Sequence, residues 1–334
     1  MTRHQRWATI ALSILAAAVL LAYGTLAILW QDRPDLSELD WAVATADPEA
    51  EGSVTATWLG VTTLLFDDGE TQILIDGTFT RLSPLDFALA RRVGSDIATI
   101  NYVMDEYRLD RLAALVPVHT HVDHAIDIGR VANRSTALLL GSESMANIAL
   151  GADVPVDQFQ ILANGESRVF GEFTVTLIAS RHLPNSSGED GWPSGVIDEP
   201  LRQPARFWSW RGGAANSILI RHPAGTALIQ GSAGFVDGAL APHAADVAFV
   251  SVAGLAARGE AYTQDYWEQT VAATGAGRVF PVHFDDFTRP FGDVQLFPFI
   301  ADDVLTTADW VTALATDAGV TLTRPEFGTP IVLY

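Results

Sequence analysis

Residues 119–124 read His-Thr-His-Val-Asp-His. Three imidazoles and a carboxylate therefore fall within six residues, directly after the apolar run 112–118. The chain has no cysteine. Any metal site must then use imidazole nitrogen and carboxylate oxygen, a donor set that zinc accepts. His119 and His121 are two apart, so at the extended end of a strand they point to one side and can grip one ion. Asp123 and His124 follow as the chain turns into a helix, where they can face a second ion. A polar surface loop or a set of core histidines is the alternative reading. A strand that runs straight into a loop is the usual place for metal ligands.

The elements around this cluster follow from short apolar runs. Residues 53–59 alternate Val54, Ala56 and Trp58 with polar partners, which predicts a strand. Residues 62–66 and 72–75 continue it, with Asp67-Asp68-Gly69 as the turn between them. Further strands are predicted at 173–178, 217–220, 227–229, 247–252 and 279–282. Thr263 is expected to cap a helix running to about residue 274. Thr306, with Asp309 three residues on, is expected to cap another that ends before Gly319. The order is a hairpin group, then strands alternating with helices, which is a layered α/β pattern. At 334 residues and 49% hydrophobic content, the chain can bury a large core.

Residues 119–124 resemble the HxHxDH motif of the metallo-β-lactamase superfamily, and the surroundings are similar too. Thr57-Trp58-Leu59-Gly60 followed by Ile73-Leu74-Ile75-Asp76-Gly77 resembles the opening hairpin of one branch. That branch contains ascorbate-6-phosphate lactonase and N-acyl-phosphatidylethanolamine phospholipase D. Ser180-Arg181-His182 resembles the next histidine motif. Residues 228–234, Leu-Ile-Gln-Gly-Ser-Ala-Gly, resemble the strand that usually ends in Gly-Asp-Thr-Gly. Phe280-Pro281-Val282-His283-Phe284 resembles the final histidine motif. The resemblance spans residues 53–334.

It implies an α/β fold, the four-layer αββα sandwich of the metallo-β-lactamase type. It implies that His119, His121 and His182 hold one zinc and that Asp123, His124 and His283 hold another. Asp76 would orient a ligand. Asp123 would steer a metal-bound hydroxide onto an ester, lactone, amide or phosphodiester bond. One residue departs from the pattern. Ser232 stands where the family has a bridging aspartate, so the site would hold one ion or two without a carboxylate between them. A non-catalytic metal-binding or scaffold protein on the same fold is the rival reading.

Residues 183–215 form an insertion rich in proline and aromatics directly after His182. Trp192, Phe207, Trp208 and Trp210 are candidate pocket walls, and Arg206 and Arg211 are candidate holders of an anionic group. The N-terminus is a separate matter. Residues 7–30 carry no charge and are flanked by Trp7 and Trp30, long enough to cross a bilayer. Arg3 and Arg6 before them predict a cytoplasmic segment 1–6 and a body outside the cytoplasm, in the periplasm. A cleaved signal peptide ending near Ala22-Tyr23-Gly24 is the alternative, with a secreted or periplasmic body. Residues 31–52 read as a linker to the domain 53–334. The net charge is −20, and the first thirty residues contribute two arginines and no acid. So acidic a body repels nucleic acid. The expected partners are a small-molecule or lipid-like substrate and the membrane.

Overall fold

The computed structural model describes residues 2–44 and 53–334. It opens on one helix, α1 (Arg3–Gln31), capped by Thr2, whose hydroxyl accepts from Gln5 N. This helix is long and apolar enough to cross a membrane. Its first turn already includes Arg3 and Arg6, so helix and uncharged run do not begin together.

The strands follow in chain order. They are β1 (Thr55–Trp58), β2 (Leu64–Asp67), β3 (Gln72–Ile75), β4 (Arg92–Val93), β5 (Leu112–Val116), β6 (Leu138–Gly141), β7 (Phe159–Ile161) and β8 (Ser167–Phe170). Next come β9 (Phe173–Ala179), β10 (Ala205–Arg206), β11 (Asn216–His222), β12 (Gly225–Gln230), β13 (Val247–Ser251), β14 (Arg278–Val282), β15 (Thr321–Leu322) and β16 (Pro330–Val332). One seven-stranded sheet has the order β16-β1-β2-β3-β5-β6-β7, the other β15-β14-β13-β12-β11-β9-β8. Each sheet is antiparallel on one side and parallel on the other, switching at β3–β5 and at β12–β13. Helices α2 (Pro84–Ala88), α3 (Ile97–Glu106), α4 (Val122–Ala125), α5 (Ile128–Arg134) and α6 (Glu143–Gly151) belong to the first half. The second half has α7 (Leu255–Arg258), α8 (Glu260–Trp267) and α9 (Val304–Ala318).

Alternation within the strands shows how the layers stack. In β2, Leu64 and Phe66 join the core between the sheets, while Leu65 joins the core under α3, α5 and α6. Ile73 and Ile75 of β3 and Ala114 and Val116 of β5 also enter the inter-sheet core, and Leu74 and Leu115 face the helices. Phe66 and Phe249 meet across the sheets with ring centroids 5.8 Å apart. Helices α8 and α9 cover the far face of the second sheet through Tyr266, Val304 and Val311. Sheets covered on both faces need near-continuous apolar strands, which is the pattern seen. The architecture is a four-layer αββα sandwich.

Three local expectations change. Thr263 lies inside α8, whose N-cap is Gly259, and the helix passes into a π-helical turn at Glu268–Ala272. The cap of α9 is Asp303, because its carboxylate accepts from Thr306 N at 3.1 Å; Thr306 only adds its hydroxyl to that carboxylate. The helix stops at Gly319, whose φ of +66° suits glycine. The third change concerns the expected linker 31–52, which over residues 32–44 is packed structure. Leu39 and Trp41 are buried. Trp41 Nε1 donates to Thr312 Oγ1 of α9 at 3.0 Å, and Val43 bridges to Arg324. Two buried side chains suffice to dock a polar stretch, and they leave no periodicity to read. Residues 45–52 of the expected linker lie outside the described residues.

Candidate metal centre

The strand β5 ends at Val116, and the loop after it carries His119 and His121 before α4 begins with His121 as its N-cap. Asp123 and His124 lie within α4, and His182 and His283 arrive on loops that follow β9 and β14. All six lie at one end of the sandwich.

Asp76 organises the first of these loops. It follows β3 with a φ of +57°, uncommon for a residue with a side chain. One carboxylate oxygen accepts from Val118 N at 2.8 Å. The other accepts from Thr62 Oγ1 and faces His124 Nδ1 at 2.8 Å. His124 therefore turns its Nε2 toward Asp123 Oδ2, 3.4 Å away. His283 reaches the same oxygen, its Nε2 at 3.3 Å. Its backbone also lies at positive φ, +60°. The opening hairpin holds it there. His283 N donates to Val61 O at 2.9 Å, and Val61 N donates to the Asp285 carboxylate at 2.9 Å. The buried Trp58 fixes that turn by donating its indole N–H to Val61 O.

The three-histidine group is closed from another side. His119 Nε2 and His121 Nδ1 are 3.0 Å apart. The His182 ring centroid lies 4.9 Å from that of His119 and 4.6 Å from that of His121. His182 Nδ1 donates to Leu183 O at 2.8 Å, which leaves Nε2 for the cavity. His121 Nε2 faces Pro193 O at 3.1 Å, which leaves Nδ1. Ser232 lines the same cavity as the donors. Its hydroxyl accepts from Leu183 N at 2.9 Å and steadies the turn that follows His182.

The donor sets fit metal ions. In each group, one donor atom per residue lies within 4.8 Å of the others. Ligands about 2.0–2.1 Å from a tetrahedral zinc stand roughly 3.3 Å from one another, and the close pairs here measure 3.0, 3.3 and 3.4 Å. The outer nitrogens of His121, His124 and His182 each have a partner that sets the tautomer. Protonation agrees. Burial, then the neighbouring His124 and His121, hold His119 well below the ordinary imidazole range. Burial and His182 bring His121 down to about 4. Burial works against the charged form of His124, yet Asp123 and Asp76 outweigh it and push the ring up to about 10. Burial likewise disfavours ionised Asp123, but His124 and His283 hold it well below the carboxylate range. The second group is thus built to hold positive charge beside Asp123.

These residues line a cavity of about 290 Å³. Trp192, Phe207, Phe87 and Phe287 form its walls. Of the four aromatics and two arginines read from the insertion, Trp192 and Phe207 line the cavity. Trp210 is fully buried under the first sheet. Trp208 carries the Arg206 guanidinium 5.1 Å above its ring, and Arg206 donates to Ala90 O. Arg211 is exposed and donates to Val196 O at 3.1 Å. Composition marked the insertion, but which aromatic faces inward depends on where the loop is pinned. Thr120 N donates to Gly212 O at 3.0 Å and the Thr120 hydroxyl donates to Arg211 O, which turns the Arg211 side chain outward. Phe87 and Phe287 carried no motif that would have placed them. Gly191 and Gly212 left a trace as glycines, since a Cβ would stand 2.4 Å from the His182 ring and 3.1 Å from His121 Nε2. Neither His222 nor His243 belongs to a donor group.

No family model matches the chain, and no curated protein matches it in sequence. Solved structures do match. A possible metal-dependent hydrolase from Veillonella parvula is 14% identical and covers 84% of this chain and 100% of its own, with a TM-score of 0.51. The E377D mutant of the β-hydroxylase CmlA is 16% identical and covers 86% of this chain and 55% of its own, with a TM-score of 0.50. The metallo-β-lactamase fold protein YhfI from Bacillus subtilis is 14% identical and covers 85% of this chain and 98% of its own, with a TM-score of 0.48. The fold is of the metallo-β-lactamase type. A possible metal-dependent hydrolase and a β-hydroxylase share it, so the fold alone leaves the reaction open.

Proposed function

We propose that this metallo-β-lactamase-fold chain is a zinc-dependent hydrolase, held at a membrane by α1 with its body outside the cytoplasm. One observation carries the reading: two complete donor groups stand back to back at metal-ligand spacing on the floor of one cavity. Bound zinc would lower the pKa of its water from about 15.7 to about 7 and polarise the bond under attack.

The chain's own residues supply the rest. Asp123, kept ionised by His124 and His283, is placed to accept a proton from the attacking water and return it to the leaving group. Asp76 and Thr62 fix the ring of His124, and the Leu183 carbonyl fixes that of His182. Trp192, Phe207, Phe87 and Phe287 keep bulk water from the reacting bond. An ester, lactone, amide or phosphodiester suits this machinery. The rival, a metal-binding protein without catalysis, has Ser232 in its favour, because serine cannot bridge two ions.

The test is metal analysis of the purified chain alongside a panel of ester, lactone and phosphodiester substrates. About one to two zinc per chain and hydrolysis of at least one class are expected. His121→Ala should abolish hydrolysis and lower zinc content, and His222→Ala should do neither. Metal below about a tenth of an equivalent after growth in zinc sinks the site. Full zinc with no turnover on any class favours the rival.

A further inference from the structure

A larger opening lies beside the metal cavity. It is a groove of about 1140 Å³ between the last turns of α1 and the body. Tyr23, Leu26, Ala27 and Trp30 form one wall, and Phe87, Phe287 and Phe297 stand on the other side. The groove shares Phe87, Phe287 and His283 with the metal cavity, so its inner end is a metal donor.

The helical wall is tied to the segment that carries that donor. Arg33 Nη2 donates to Trp30 O at 3.2 Å, closing the end of α1. Arg33 Nη1 pairs with the buried Asp286 at 2.8 Å and donates to Leu296 O at 3.1 Å. Phe299 N donates to Asp32 O at 3.0 Å. Asp286 lies three residues beyond His283, so helix exit and donor are parts of one tied unit.

The groove also opens at a defined depth. About 20 helical residues cross the hydrocarbon layer. Counted from Trp7, that stretch ends near Leu26, so the wall from Tyr23 to Trp30 straddles the outer boundary of the layer. Large apolar side chains are exposed at the same level. Leu85 and Leu89 project from one side, and Phe299 and Ile300 from the loop bonded to Asp32. Such a patch suits the boundary between headgroups and acyl chains. The groove's arginines are engaged: Arg33 pairs with Asp286, and Arg289 pairs with Asp293 at 2.7 Å. Most of the remaining lining is carbon, with Gln31, Ser83, Thr288, Gln295 and Asp302 as its polar members.

We propose that the groove takes the acyl chain of a membrane amphiphile, which enters sideways from the outer leaflet and presents the bond near its head to the metal centre. On this account α1 is a wall of the substrate site as well as a tether. The inference rests on the donor groups being the reacting end.

The experiment uses the full chain in phosphatidylcholine vesicles that contain a phosphatidylcholine with a diazirine near the end of one acyl chain. Irradiation and peptide mass spectrometry then locate the adducts. Adducts are expected on Phe87, Phe287 or Phe297. They should fall about tenfold or more in Ala27→Trp and in Ala88→Trp, which fill the groove from opposite walls. They should persist in Leu15→Trp, on the exposed middle of α1. Adducts confined to α1, or adducts on the body that neither groove variant reduces, overturn the proposal. So does a membrane-associated protein whose N-terminus begins near Thr25, because the helix is then too short to cross the bilayer beside the groove. Zinc measured on the same samples separates the two readings. A labelled groove without zinc removes the hydrolase and keeps the groove, and a zinc-loaded protein with an unlabelled groove does the reverse.

Discussion

Ser232 and Asp302 show how single side chains near the metals set measurable properties. The Ser232 hydroxyl is committed to Leu183 N, and Asp123 is the one carboxylate among the six donors. Ser232→Asp would add a negative charge close to two dications. Zinc affinity should then rise by about tenfold or more at the weaker site, roughly 1.4 kcal/mol, as read by calorimetric titration of metal-free protein. An unchanged or weakened site would mean that the new carboxylate stays on the Leu183 amide, facing away from the ions. Asp302 offers a pH test in the groove that it lines with His283. One of its oxygens accepts from Gly254 N at 2.8 Å and the other is buried without a partner. Burial raises its carboxyl to about 6. The folded state thus holds this proton more tightly than the unfolded state. The group's contribution is most favourable below the unfolded value near 4, and it is lost as pH rises through about 6. Asp302→Asn removes the buried charge. Its stability relative to wild type should be about 2–3 kcal/mol better at pH 8 than at pH 4 in chemical denaturation. The same difference at both pH values would show that Asp302 is not held neutral by burial.

At the scale of elements, residues 183–215 act as a strap over the three-histidine group. Their backbone meets Thr120 and His121 at Gly212, Arg211 and Pro193. Glycine is needed where this strap crosses the rings. A Cβ on Gly191 would stand 2.4 Å from both Cε1 and Nδ1 of His182, and Nδ1 already donates to Leu183 O. Gly191→Ala must therefore displace either the ring or the strap. Zinc affinity at the three-histidine site should drop about tenfold, within the range seen when the support of a ligand is disturbed. The metal-free protein should melt within a few degrees of wild type, since the strap is near the surface. Unchanged zinc affinity in chelator competition would mean that the strap yields and the ring stays. The strand runs read from sequence matched the strands observed at β1, β3, β5, β9 and β11–β14, because core strands covered on both faces show as apolar runs. The edge strands β7, β8, β15 and β16 were not legible, because they are short and partly exposed and so carry little pattern, and the short buried strand β6 was not read either.

At the scale of the molecule, α1 runs at its C-terminal end into a segment that docks on the body. Trp41 bonds α9 and Arg33 clamps the loop beyond His283. Domain and helix are thereby joined without a free tether over residues 32–44. The arginines at positions 3 and 6 precede the uncharged run, and the chain beyond it is strongly acidic. A C-terminal alkaline phosphatase fusion should therefore be active, and a fusion to a reporter that works only in the cytoplasm should be silent. The reverse pattern would place the body on the cytoplasmic side.

The sequence by itself marked a candidate set of metal donors and the layered α/β order. Both are local: four donors fall within residues 119–124, and strands and helices announce themselves by period. His182 and His283 stood at the ends of apolar runs, so they were legible as positions but not as partners. Only the tertiary structure put them 4.6–4.9 Å from His121 and His119, and 3.3 Å from Asp123, because those contacts join residues far apart in the chain. It also sorted the insertion's aromatics, sending Trp192 to the cavity and Trp210 to the core. It turned an expected linker into a docked segment. Hydrophobic burial is not directional, so composition says that such side chains will be covered. Which surface covers them is decided by where backbone hydrogen bonds from Thr120, Arg33 and Val61 pin the chain.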